Sequence, residues 1–122
     1  MTLEGVDYSS GRLSSQAMRD NGLSFACRYV SSPGNSKNLT AVEVADWSAN
    51  GIGIVVVFEQ GAQNALGGAS RGARDATAAQ SQLDALGVST APVYFAVDFD
   101  ATTSQLPTIS DYLSSGERVL NK

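Results

Sequence analysis

The chain has 122 residues, with 8 basic and 12 acidic side chains, a net charge of −4 and 43% hydrophobic content. That length suits one domain, residues 1–122, and the hydrophobic share suits a packed core rather than a disordered chain. The acidic balance lacks the basic footprint that binding a phosphate backbone needs, and no apolar run approaches the ~20 residues that span a bilayer. No nucleic-acid partner and no membrane span are therefore expected.

Met1-Thr2-Leu3-Glu4 has no basic start leading into an apolar stretch, so no signal peptide is read. The default location is then cytoplasmic, unless lysis or a missing segment brings the domain outside. The sequence has no histidine. That removes histidine-ligated metal sites and Ser-His-Asp relays, so no metal or cofactor is expected and acid–base chemistry falls to carboxylates, lysine or tyrosine. Cys27, the single cysteine, lies in the apolar Phe25-Ala26-Cys27 and reads as a small buried hydrophobe.

Along the chain, short apolar runs alternate with helical patterns. Leu3 to Tyr8 forms the first run. Ser14 and Ser15 then cap a helix to Asn21, with Gly22 as its stop. Phe25 to Val30 is the second run. Thr40 and Glu43 have capping-box spacing and open a helix over 41–50 that Gly51 ends. In that helix Val42, Ala45 and Ala49 recur at helical spacing, and Trp47 falls outside the stripe. Ile52 to Glu59 is the third run, followed by the glycine-rich segment 61–72, which reads as a flexible loop over a site. An alanine-rich helix runs from about Ser70 to Leu86, stopped by Gly87. The fourth run, Pro92 to Phe99, precedes a helix from near Ser110 towards Leu120. Strands joined by full helical crossovers are parallel, so the pattern predicts an α/β fold with a parallel sheet.

Parallel sheets bind ligands at the carboxyl ends of their strands. Here the first run ends in Asp7, the third in Glu59, and the fourth in Asp98-Phe99-Asp100. Residues two apart in a strand share a face, so Asp98 and Asp100 are expected on one side. Paired carboxylates are what glycosidic cleavage requires: one protonates the leaving oxygen, while the other stabilises or attacks the developing oxocarbenium centre. Acids after parallel strands also serve as caps and turn formers, so Asp7 has both readings. Arg28 is read as a partner to these acids and, with Tyr8 and Tyr29 at strand ends, as substrate-binding. Trp47, mid-helix, reads as packing. Arg71 and Arg74 near a helix start suit an anion weakly, but segment 61–72 lacks the ending of a Walker loop and the dinucleotide fingerprint.

Gly5-Val6-Asp7, Arg28-Tyr29, Leu39-Thr40-Ala41-x-Glu43, Gly51-Ile52-Gly53-Ile54-Val55, Gly72-Ala73-x-Asp75-Ala76 and Val93-Tyr94-Phe95-Ala96-Val97-Asp98-Phe99-Asp100 occur in that order. Together they resemble the bacterial glycoside-hydrolase-like domain of actinobacterial and phage-associated proteins, from about residue 4 to at least residue 115. The resemblance implies a (β/α) TIM-barrel-type architecture related to the lysozyme-like muramidases of glycoside hydrolase family 25, and a glycan or peptidoglycan substrate. It sets Asp98-Phe99-Asp100 at the family's Asp-x-Glu after strand four, with Asp100 as proton donor, one methylene shorter than the glutamate. Asp7 matches the aspartate closing strand one, and Glu59 is a secondary candidate for the longer carboxylate.

An eight-stranded barrel takes ~250 residues, so about four βα units amount to a half barrel. Its first and fourth strands would be open edges, which points to self-association or a missing C-terminal half. The alternative function is a non-catalytic carbohydrate-binding or remnant domain on the same fold. A phosphoacceptor domain suits the length, but it needs two acids after strand one, where this chain has Asp7-Tyr8.

Overall fold

The computed structural model describes residues 2–121. The elements run β1 (Gly5–Asp7), α1 (Ser15–Asp20), β2 (Phe25–Val30), α2 (Ala41–Ala49), β3 (Gly53–Phe58), α3 (Gly68–Leu86), β4 (Val93–Phe95) and α4 (Leu106–Leu120). The four strands form one sheet in the order β1-β2-β3-β4, every pair parallel. β1 and β4 are its two edges.

Local signals set the helix ends. The Ser14 side chain accepts from the Ala17 amide at 3.1 Å to open α1. Thr40 and Glu43 form the reciprocal capping box of α2, which satisfies amides that the first turn leaves unpaired. Gly87 closes α3 in the left-handed region at φ 78°, a conformation glycine adopts without steric cost. Two helices start earlier than the sequence suggested. α3 begins at Gly68, after a 3-10 turn at Asn64–Gly67 that buries Ala65, so most of segment 61–72 is structured and not a flexible loop. α4 begins at Leu106, because Pro107 sits in its first turn, where a missing amide hydrogen costs nothing.

The core lies between one face of the sheet and the helices. It holds Met18, Ala26, Val30, Val44, Trp47, Val56, Phe58 and Leu83. Trp47 is fully buried and donates its indole N–H to the Leu13 carbonyl at 3.1 Å; truncating so large a core side chain costs about 3–5 kcal/mol. The expected stripe Val42, Ala45 and Ala49 is the exposed face of α2, and Glu43, Val44 and Trp47 face inward. Glu43 turns in because a buried arginine meets it, and the helix rotates with it.

β3 is apolar throughout, yet only Val56 and Phe58 are fully buried. The opposite face of the sheet is open: Phe25, Cys27, Tyr29, Val55 and Val57 are half-buried there and Tyr94 is 63% exposed. Cys27 therefore lines the open face instead of filling the core. The fourth apolar run leaves the sheet after Phe95, although the Ala96 amide still donates to the Phe58 carbonyl at 3.0 Å. Val97 and Phe99 then pack on a second cluster of Ala65, Ile109 and Tyr112. α3 and α4 meet closely beside that cluster. A Cβ on Gly72 would overlap the Tyr112 carbonyl, and the Tyr112 hydroxyl donates to Asp75 at 2.7 Å.

Candidate functional site

Strand register decides which side chains can meet. Asp7, Cys27 and Val55 are level across β1, β2 and β3, and Tyr29, Val57 and Tyr94 form the row nearer the carboxyl end. Alternation along each strand puts both rows on the open face and sends Arg28 to the helix-covered face. Arg28 and Tyr29 thus point opposite ways, which the period of two already implied for neighbours in one strand.

Asp7, Tyr29 and Glu59 come together at the strand ends. Burial raises the Tyr29 phenol above its ordinary 10.0, and the hydrogen bond and charge of Asp7, then the charge of Glu59, raise it further. Burial likewise pushes the Cys27 thiol up, with Asp7 adding to the effect. Glu59 follows β3, and its amide still donates to the Val30 carbonyl at 3.2 Å. Its carboxylate pairs with the Lys37 ammonium at 3.2 Å, the two side chains being 30% and 21% exposed. The same ammonium lies 5.3 Å from the centroid of the Tyr29 ring, within cation–π reach.

Asp98 and Asp100 lie beyond β4, in a segment with no strand pairing, and both are exposed. Val97 and Phe99 pack towards the helices, leaving the two aspartates to solvent. Among the described residues neither carries an ion pair. Nor does any group of three or more acids or cysteines stand close enough to hold a metal ion.

Arg28 and Tyr8 are placed elsewhere, in a buried knot under the sheet. The guanidinium grips Glu43 with two bonds, Nε to Oε2 at 2.7 Å and Nη2 to Oε1 at 3.1 Å. Its remaining donors reach the carbonyls of Tyr8 at 2.7 Å, Lys37 at 3.1 Å and Asn38 at 3.3 Å. The partner of Arg28 is therefore Glu43 and not the strand-end acids, because its side chain leaves the sheet on the helix side. The Tyr8 ring lies 4.3 Å beneath the guanidinium, and its hydroxyl donates to Glu43 at 2.7 Å. Burial raises the Tyr8 phenol and Glu43 raises it again. For Glu43, burial acts to raise the carboxyl, but hydrogen bonds from Arg28, Tyr8 and Thr40 outweigh it and hold the group below its ordinary 4.5.

Sequence reasoning missed Lys37 and took Glu43 for a cap alone. Nothing local marks Lys37, which reaches the strand ends only through the course of the β2–α2 loop. The pair at Arg71 and Arg74 is also partly committed, since Arg71 bonds Asp75 at 2.9 Å. Those residues line an open hollow beside α3 with Thr77 and with Gln60, the residue that follows Glu59.

Fold and register together define a parallel α/β domain with acidic side chains at the carboxyl edge of its sheet. The chain belongs to the Rv2525c-like, glycoside hydrolase-like domain family, whose model matches residues 16–122. Among solved structures it is similar to the Tat-secreted protein Rv2525c of Mycobacterium tuberculosis. The complex of that protein with HEPES is 31% identical at a TM-score of 0.81, and 93% of this chain covers 62% of that one. The complex with L-tartrate is 33% identical at a TM-score of 0.82, covering 93% and 61%. The chain thus spans 61–62% of the length of these relatives. No curated protein matches it.

Within the described residues, no helix is long and apolar enough to cross a membrane.

Proposed function

We propose that this domain acts on a glycan, peptidoglycan or a related polymer, at the carboxyl ends of its strands. The observation that carries the reading is the grouping of Asp7, Tyr29 and Glu59 on the open face, in a chain of a glycoside hydrolase-like family. Asp100, freely exposed after β4, protonates the leaving oxygen. Asp7, Asp98 and Glu59 supply the negative charge that an oxocarbenium-like transition state calls for, and Tyr29 offers a ring and a hydroxyl to the sugar. The four βα units act as one half of a (β/α) TIM-barrel-type architecture. A further stretch of chain, or a second copy, closes the open face between the edges β1 and β4.

The test is release of new reducing ends from soluble peptidoglycan by the whole chain, compared with Asp100→Asn and Glu59→Gln. Turnover above background that falls about a hundredfold or more in Asp100→Asn supports the reading, that loss being the scale of general acid catalysis. Equal rates in the wild type and Asp100→Asn contradict it. A second reading, a carbohydrate-binding domain without turnover, is favoured by Asp100 standing where the resemblance to the family 25 muramidases calls for a glutamate. It predicts glycan binding that survives Asp100→Asn.

A further inference from the structure

Among the described residues, Lys37 is a charged group at the strand ends that neither the motifs nor the proposed chemistry accounts for. Its loop is held through backbone and neighbouring side chains, not through the ammonium. Arg28 donates to the Lys37 and Asn38 carbonyls at 3.1 and 3.3 Å. The Leu39 amide donates to the Tyr29 carbonyl at 2.7 Å, and Asn38 pairs alongside Tyr29 as an isolated parallel bridge. Ser31 and Asn38 join side chains at 2.8 Å, and Asn38 also donates to the Ser32 carbonyl at 2.9 Å. With the backbone so fixed, the Lys37 side chain is free to serve the site. It crosses the Tyr29 ring and ends 3.2 Å from the Glu59 carboxylate.

We infer that Lys37 is a positioning residue of the strand-end site: it fixes the Glu59 carboxylate across Tyr29, on a loop that the buried Arg28 holds in place. The inference rests on the functional reading above for its consequence, but not for its geometry. The pair is half-buried, its side chains 21% and 30% exposed, so a contribution to folding and a positioning role are separated by measuring melting temperature beside the side-chain geometry. Glu59 held at one place presents its charge in a fixed direction, and misplacing a reacting group by about an ångström can cost up to a hundredfold in rate. The pair also covers one side of the Tyr29 ring, so a sugar stacks on the uncovered side or displaces Lys37.

The experiment compares the wild-type chain with Lys37→Met and Lys37→Arg by NMR, reading the Hα–Hβ and Hβ–Hγ three-bond couplings of Glu59. A side chain held in one rotamer gives distinct large and small couplings; one that samples several gives intermediate, averaged values. The expected result is single-rotamer couplings in wild type, averaged couplings in Lys37→Met and recovery in Lys37→Arg, with melting temperatures nearly unchanged. Couplings that stay those of a single rotamer in Lys37→Met overturn the inference. Soluble peptidoglycan is the probe for the consequence. Lys37→Met should lower its turnover or binding about tenfold or more, Lys37→Arg should restore it, and Lys37→Met should add nothing in a Glu59→Gln background. A further loss in that background also overturns the inference. A wild type that neither binds nor cleaves the probe overturns the functional reading alone, and the Glu59 coupling comparison still decides the role of Lys37.

Discussion

On the helix-covered face of the sheet, Arg28 and Glu43 are each 1% exposed, and all five guanidinium donors have acceptors. On the open face, Asp7 is exposed beside Tyr29, and the Glu59 carboxylate has Lys37 as its ion-pair partner. Both regions mix charge with aromatic rings, and both join β1, β2 and the β2–α2 loop. Their difference is saturation. A buried ion pair persists only when its remaining lone pairs and hydrogens are met, and the knot around Arg28 meets them with backbone carbonyls, Tyr8 and Thr40. The strand-end acids retain unused acceptor capacity facing solvent, which a ligand can take up. Charge that is fully partnered holds the fold, and charge that is not is available for chemistry.

The comparison breaks most sharply at Arg28. Arg28→Ala leaves Glu43 buried without its cation and frees three carbonyls, a loss of about 3–5 kcal/mol. Urea unfolding should show it as a large fall in midpoint, and a change within error would show that the knot is not structural. Gly72→Val comes next. Its side chain would run into the Tyr112 carbonyl, forcing α3 and α4 apart at a cost of about 1–3 kcal/mol, read as a lower melting temperature.

Acid acts on the knot in a defined direction. The Glu43 carboxyl is held below 4.5 in the folded chain, so its stabilisation is complete above that value and lost as pH falls through the folded one. Urea midpoints followed from neutral pH to about pH 3 should decline below 4.5 in wild type, and Glu43→Gln should lack that component of the decline. The smallest effect on folding is expected at the open face. Asp7→Asn should change stability by no more than about 0.5 kcal/mol. It should nevertheless bring the Tyr29 titration, followed by NMR of the labelled phenol carbon, down towards the ordinary 10.0.

Much of the fold was legible because it is written locally. Thr40 with Glu43 marked the start of α2, Gly87 marked the end of α3, and alternating apolar runs with helical crossovers gave a parallel sheet. What misled was a side chain whose partner lies far along the chain. Glu43 counts as polar in any hydropathy pattern, so α2 was turned by half a helix until Arg28, 15 residues earlier, is seen to draw it inward. Of the candidate site, the placement of Asp7, Tyr29 and Glu59 at the strand ends was legible from the runs that precede them. Lys37 was not, because its position depends on a loop whose course is set by Arg28 rather than by its own neighbours.

The most direct measurement is chemical-shift mapping of the labelled chain with soluble peptidoglycan fragments. The account predicts that perturbed amides cluster at Asp7, Tyr29, Lys37, Glu59 and Asp98 to Asp100, and that the hollow beside α3 at Arg71 and Arg74 stays silent. Perturbations gathered along that hollow, with the strand ends unmoved, would contradict it.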